Sequence, residues 1–331
     1  MVEVWWLMLL VSSLLMGLVR PDPQVPCYFI FGDSLVDNGN NNYIASLARA
    51  NYMPYGIDFP GGPSGRFSNG MTTVDVIGKT FLVSNYVAPK RLIIILYPWE
   101  YNATIEFYWA PFLVTSNCDN ATSHKGLDRI VHEYSGSLER HAQHWKGVDI
   151  LVFNTYAWWQ PGKMMKIVRR SWGKKYIRWM KAEDGYRLVL KSMVSWLENN
   201  IDPQKTRVFF TTMSATHFRS AEWGGKRDGN CYGETTPILD PTYWGSGSSK
   251  SIMKVVGEVL GASKTPITII NVTQLSEYRK DAHVSIYRLQ PYDLTQKRPA
   301  KSDGYADCNH WCLPGLQDTW NELLYAKLLF P

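Results

Sequence analysis

Apolar residues recur along the chain with two spacings, and each spacing predicts a kind of element. Unbroken or nearly unbroken runs at 27–31 (CYFIF), 91–96 (RLIIIL), 105–109, 149–153 (DILVF), 207–212 (RVFFTT) and 265–271 (TPITIIN) have the length of strands. The continuous apolar character of 149–153 suits a strand covered on both faces. Around 182–199 the spacing changes. Tyr186, Val189, Leu190, Met193 and Leu197 make one stripe, Glu183 and Asp184 stand in the first turn, and Asp202-Pro203 ends the pattern, so a helix is predicted. A second helix is predicted over 249–260 with Ser249 as its cap, and an amphipathic one over 311–330 with Pro314 near its start. Residues 38–70 are rich in Asn, Gly and Pro and read as loop.

Strands alternating with helices predict an α/β fold with a mostly parallel sheet covered by helices. Reactive groups in such sheets gather beyond the carboxyl ends of the strands. Ser34 follows the first strand across Gly32, in the string FIFGDSLVD. Asn154 follows the 149–153 strand. Asp307 and His310, in DCNHWC, fall in the loop predicted before the last helix. A serine hydroxyl attacks an ester only after a base takes its proton. Histidine titrates near neutrality and supplies that base, and an aspartate on its other ring nitrogen fixes the tautomer. Ser34, His310 and Asp307 are therefore the candidate triad, with Gly32 and Asn154 as candidates for holding an oxyanion. Singly, each has a plainer reading: Ser34 as a helix cap, Asn154 as a turn residue, His310 as a core side chain. Ser214 and His217, in TTMSATH, are a rival Ser–His pair, read as structural or substrate-facing.

Charge changes the picture little. The 35 basic and 29 acidic residues are interspersed, for a net charge of +6. The densest basic stretch, 163–181, reads as a solvated face. No nucleic-acid module surrounds it, so nucleic acid is not an expected partner. At the start of the chain, residues 4–19 are apolar but shorter than the ~20 a spanning helix needs. Residues 1–20 read as a signal peptide or signal anchor that sends the rest into the secretory pathway, and membrane contact is expected only through this segment. Sequons at Asn102, Asn120 and Asn271 agree with that route. The five cysteines are an odd number, so one thiol is expected to stay unpaired. Among the 14 tryptophans, Trp109, Trp145, Trp158, Trp159 and Trp223 could line a sugar groove, with core packing as the default for each.

Two resemblances refine this reading. The run CYFIFGDSLVDNGNNNYIASLARANYMPYGIDFP, followed by GPSGRFSNGMTTVDVIG, resembles the first block of plant GDSL esterase/lipases, which implies Ser34 as nucleophile in an SGNH-type fold. That family's downstream Gly-Xaa-Asn-Asp block and C-terminal Asp-Xaa-Xaa-His-Pro are absent in that form. From about residue 100, segments such as HWKGVDILVFNTYAWW, NCYGETTPILDPTYWG and DCNHWCLPGLQDTWNELL resemble the plant trichome-birefringence-like proteins, polysaccharide O-acetyltransferases, and most closely their xylan-acetylating branch. This second resemblance implies an SGNH-like three-layer α/β/α fold, Asp307 and His310 as the catalytic Asp-His pair, and a disulfide between Cys231 and Cys308. Cys312 is then left to Cys27, Cys118 or no partner. It also implies xylan as acceptor, an acetyl donor as second substrate, no metal or bound cofactor, and a Golgi location; a secreted esterase and an inactive or glycan-binding fusion are the alternatives. The expected organisation is a lipase-like block over 21–90 joined near 80–100 to an acetyltransferase-like region over 91–331, together one domain.

Overall fold

A computed structural model describes residues 27–32, 37, 39, 49–53, 55–72, 75, 93–96, 104–119, 129–133, 136–159, 162–171, 174–285, 306–311 and 316–330. The N-terminal apolar segment, Ser34, Asn102, Asn120, Cys312 and most of the 80–100 junction lie outside the described residues. No helix among the described residues is long and apolar enough to cross a membrane.

The apolar runs form one six-stranded sheet. Its strands are β1 (Cys27–Gly32), β2 (Ile93–Leu96), β3 (Thr104–Trp109), β5 (Ile150–Asn154), β8 (Arg207–Thr211) and β9 (Ile267–Ile270). The order across the sheet is β2-β3-β1-β5-β8-β9. Only the pair β2–β3 is antiparallel; the others run parallel, as the alternation of strands and helices predicts. β1 lies inside the sheet, with Tyr28 opposite Ile105 of β3 on one side and Ile150 of β5 on the other. A strand so placed has backbone partners along both edges, the arrangement that buried N–H and C=O groups require.

Helices cover both faces. α1 (Ala182–Asn200) and α2 (Lys250–Gly261) pack with Leu151, Phe153, Val208 and Phe210 in one core. α1 follows its predicted stripe, burying Tyr186, Val189, Leu190, Met193 and Leu197. Gly185 lets it approach closely, since a Cβ there would meet Ile167 at 3.1 Å and Trp159 at 3.3 Å. Ser249 caps α2, its side chain accepting from the Ile252 N–H. The strand residues facing the opposite way, Ile150, Val152 and Phe209, are also buried. On that face the Arg207 guanidinium donates to the carbonyls of Lys327 and Leu328, at the end of α3 (Leu316–Leu329). Three layers result. The last helix begins at Leu316, not at 311 as the sequence predicts, because Trp311 belongs to a strand.

The basic stretch 163–181 is also a correction. It forms an antiparallel hairpin of β6 (Met164–Ser171) and β7 (Lys174–Lys181), and β6 pairs in parallel with β4 (Ile130–His132). Only part of the hairpin is a solvated face. Lys174 to Trp179 are exposed, while Met165, Ile167 and Met180 are buried in the core beside α1. The Ala182 N–H donates to the Lys163 carbonyl and closes the hairpin's base.

Because β1 is bonded on both sides, Ile30→Pro removes an N–H from the interior of the sheet. We expect a loss of at least about 3 kcal/mol, read as a collapse of the melting transition followed by circular dichroism. Wild-type melting in this variant would place β1 outside the sheet.

Candidate active site

Asp307 and His310 stand on β11 (Asp307–Trp311), which pairs antiparallel with β10 (His283–Ser285). The sequence predicts a loop here; the structure shows a strand with an irregularity. His283 is opposite Trp311 and Ser285 is opposite Asp307, so four steps of β11 run against two of β10. Residues three apart on a regular strand point to opposite faces. The bulge relaxes that rule. Inside it the Asp307 side chain takes over the work of a ladder partner: Oδ1 accepts the N–H groups of Asn309 and His310, each at 3.1 Å. Oδ2 accepts from His310 Nδ1 at 2.8 Å.

A carboxylate only accepts, so the proton of this contact sits on Nδ1 and Nε2 keeps the lone pair of a base. Burial pushes the Asp307 carboxyl up, but the His310 charge, its ring hydrogen bond and the two backbone donors outweigh burial. The carboxyl is held well below the usual carboxylate range and stays ionised wherever the imidazole is useful.

Three features fix β11 in place. Cys308 is joined to Cys231 by a disulfide, with Cα atoms 5.7 Å apart and both residues buried. The Trp311 ring is buried and stacks on His283 with centroids 4.0 Å apart. His283 Nδ1 donates to the His310 carbonyl at 2.9 Å, and its Nε2 meets His217 Nδ1 at 2.6 Å. His217 Nε2 lies 2.8 Å from the Glu277 carbonyl, and the His217 N–H donates to the Cys308 carbonyl. These three ring contacts need three N–H protons, whereas a neutral pair of imidazoles carries two. Burial keeps the third proton out: the desolvated His217 is held down to about 4, and His283, desolvated and facing His217, to about 3.

The N-terminal block reaches the same place. The Phe67 ring stacks on the His310 ring, with centroids 5.0 Å apart and planes 26° apart. Gly32, the oxyanion candidate, ends β1 opposite Trp109 of β3. Ser34 follows it by two residues in the sequence and lies outside the described residues. Asn154 ends β5, buried, with no hydrogen-bond partner for its Oδ1 among the described residues.

The rival pair Ser214–His217 is not formed, because both ring nitrogens of His217 face other groups. The sugar-groove reading fails for Trp109, Trp145 and Trp159, which are buried in the core, while Trp158 and Trp223 are partly exposed. Cys118 is a free, buried cysteine whose thiol burial pushes up to about 11. Asn271 is exposed just past β9, as a glycan acceptor requires. Phe67 and His283 are the site residues that sequence reasoning misses. Each meets the pair from a distant part of the chain, and no local pattern marks either one.

Comparison with known proteins adds to this geometry. Residues 74–327 match the model of the PC-Esterase family, described as a GDSL/SGNH-like acyl-esterase family found in Pmr5 and Cas1p. The matched span includes Asp307 and His310 and begins after Ser34 and Phe67. Over 234 residues, 70% of this chain and 53% of the relative, the sequence is 58% identical to "Probable xylan O-acetyltransferase 10" of Oryza sativa subsp. japonica. It is 49% identical over 239 residues to "Probable xylan O-acetyltransferase 9" of the same plant, covering 70% of this chain and 52% of the relative. It is 50% identical over 232 residues to "Protein trichome birefringence-like 3" of Arabidopsis thaliana, covering 69% and 53%. The chain thus spans about half the length of the curated relatives it matches.

Two outcomes follow from the packing around β11. Cys231→Ser should cost about 2–5 kcal/mol in chemical denaturation, and an unchanged midpoint would mean the bridge does not form. The histidine pair should make the fold acid-sensitive. An unfolded imidazole binds its proton near pH 6.5 and these folded ones refuse it, so stability falls as pH drops below about 6.5. Between pH 7 and 5 the pair should lose about 2–4 kcal/mol, above the range where unfolded carboxyls titrate. Equal stabilities at the two pH values would show that the folded rings take up protons normally.

Proposed function

The chain belongs to the PC-esterase family, and from that premise we propose that it carries an acetyl group through Ser34 to a hydroxyl of a cell-wall polysaccharide, xylan being the acceptor in its relatives' names. The observation that carries this reading is the 2.8 Å hydrogen bond between Asp307 and His310. It supplies an oriented base inside the span matched by the family model.

In the first half of the reaction, Ser34 Oγ attacks the acetyl carbonyl of a donor while His310 Nε2 takes the serine proton. The donor's leaving group departs with that proton, and an acetyl-serine remains. In the second half, a sugar hydroxyl attacks the acetyl-serine and gives its proton to His310. The carbon–oxygen bond to Ser34 breaks, and the serine regains the proton. Asp307 stabilises the imidazolium formed in each half without taking its proton. The N–H of Gly32 or its neighbours, or the Asn154 amide, would receive the negative charge that develops on the acetyl oxygen. The reading extends to location: with residues 4–19 as a targeting segment and Asn271 exposed, the enzyme would work in the lumen of the secretory pathway, in the Golgi.

A second reading shares this chemistry and changes the acceptor. The first block's likeness to GDSL esterases favours water in place of a sugar, which would make the protein an ester hydrolase. Mass spectrometry of xylo-oligosaccharides incubated with the protein and an activated acetyl ester separates the two. The expected result is acetylated oligosaccharide, lost by at least about 10³-fold in Ser34→Ala and in His310→Ala. Acetate released without transfer would make hydrolysis the activity. Transfer that survives in Ser34→Ala would assign the nucleophile elsewhere.

A further inference from the structure

His310 is held by Asp307 at one ring nitrogen and by His283 at its main-chain carbonyl. Neither contact controls the face of the ring. Phe67 covers that face, nearly parallel to it and itself only 8% exposed. We infer that Phe67 is a positioning residue for His310, fixing its ring plane and stabilising its imidazolium form; the inference rests on His310 being the base of the proposed reaction.

The loop that carries Phe67 is built to hold it still. The neighbouring Arg66 makes a two-pronged contact with Asp75, Nε to Oδ2 at 2.6 Å and Nη2 to Oδ1 at 2.5 Å. The pair is largely buried, with side chains 8% and 10% exposed. Arg66 also donates to Ser64 Oγ and lies over the Phe59 ring at 3.9 Å. Asp75 is occupied further by the N–H and hydroxyl of Thr72. Residues 56 and 58 donate to the carbonyls of 68 and 69, which closes the loop on itself. That closure needs Gly56: its φ is +71°, and a Cβ there would sit 2.3 Å from the Gly62 carbonyl oxygen. Tyr55 meets Phe67 edge-on at 5.8 Å, and Tyr52 meets Tyr55 at 5.3 Å. Phe67 is thus held by buried neighbours on its own loop, Arg66, Ser68 and Asn69.

The chemistry follows from the geometry. An aromatic face attracts a cation, so the stacked ring favours the protonated imidazole, which forms in each half of acyl transfer. It also removes one rotational freedom from His310, keeping Nε2 in a single orientation. Phe67, Arg66 and Ser34 all precede the span matched by the family model, so the N-terminal block would serve the base as well as supply the nucleophile.

The test is the NMR titration of the His310 ring in the full chain labelled at histidine nitrogens, beside the pH profile of kcat/KM. Phe67→Leu keeps an apolar side chain and removes the π face. His310 should then titrate about half a pH unit lower, with the acid limb of kcat/KM moving the same way and its plateau falling several-fold. Phe67→Tyr should restore both. If Phe67→Leu folds poorly, Arg66→Lys loosens the loop from behind and should lower the titration in the same direction. An unmoved His310 titration in a folded Phe67→Leu or Arg66→Lys protein overturns the inference. The titration needs no substrate: a shift in a protein that transfers no acetyl group would support the positioning role and discard the proposed function.

Discussion

The structure depends on the hydrogen bonds along both edges of β1. That strand lies between β3 and β5, and without it the β2–β3 pair would have no connection to β5, β8 and β9. A parallel interior strand cannot be replaced by solvent, because its N–H and C=O groups would be buried and unpaired. Residues 27–32, which precede the span matched by the family model, are therefore an integral part of a sheet whose other strands lie within that span. The register runs without interruption on both sides, Cys27 to Gly32 against Thr104 to Trp109 and Tyr28 to Phe31 against Ile150 to Phe153.

The site inherits its order from that sheet and from a second, smaller one. β10 and β11 form a separate pair, and the bulge in β11 turns Asp307 and His310 toward each other. Around this pair the charges are arranged with economy. Asp307 is the anion, sustained by three donors. The two neighbouring histidines are kept neutral by burial, so no cation from them would oppose a positive charge on His310 in the proposed reaction. Had either been protonated at neutral pH, it would have made His310 a weaker base.

Much of the fold is legible in the residues. The uninterrupted run of β5, the stripe of α1 and the serine cap of α2 follow from local rules, and each is found within two or three residues of its predicted place. The Asp-His pair is legible as chemistry but not as backbone. DCNHWC lacks the alternation of a strand because two of its polar residues are bonded within the bulge rather than to the partner strand. The β6–β7 hairpin is hidden by its lysines and arginines: only Met165, Ile167 and Met180 mark its inner face. The meeting of Phe67 with His310, and of His217 with His283, is set by tertiary folding across long separations. Neither leaves a periodic trace.

Cys118 shows how such a fold protects its own connectivity. Disulfides reshuffle when a thiolate attacks a sulfur, and a thiol held near 11 offers about one thiolate in ten thousand at neutral pH. Sealed under the core, that cysteine cannot act as an internal catalyst of scrambling once the molecule has folded. The Cys231–Cys308 link is then shielded from exchange with it, and the correct pairing persists as a matter of kinetics rather than of bond strength alone.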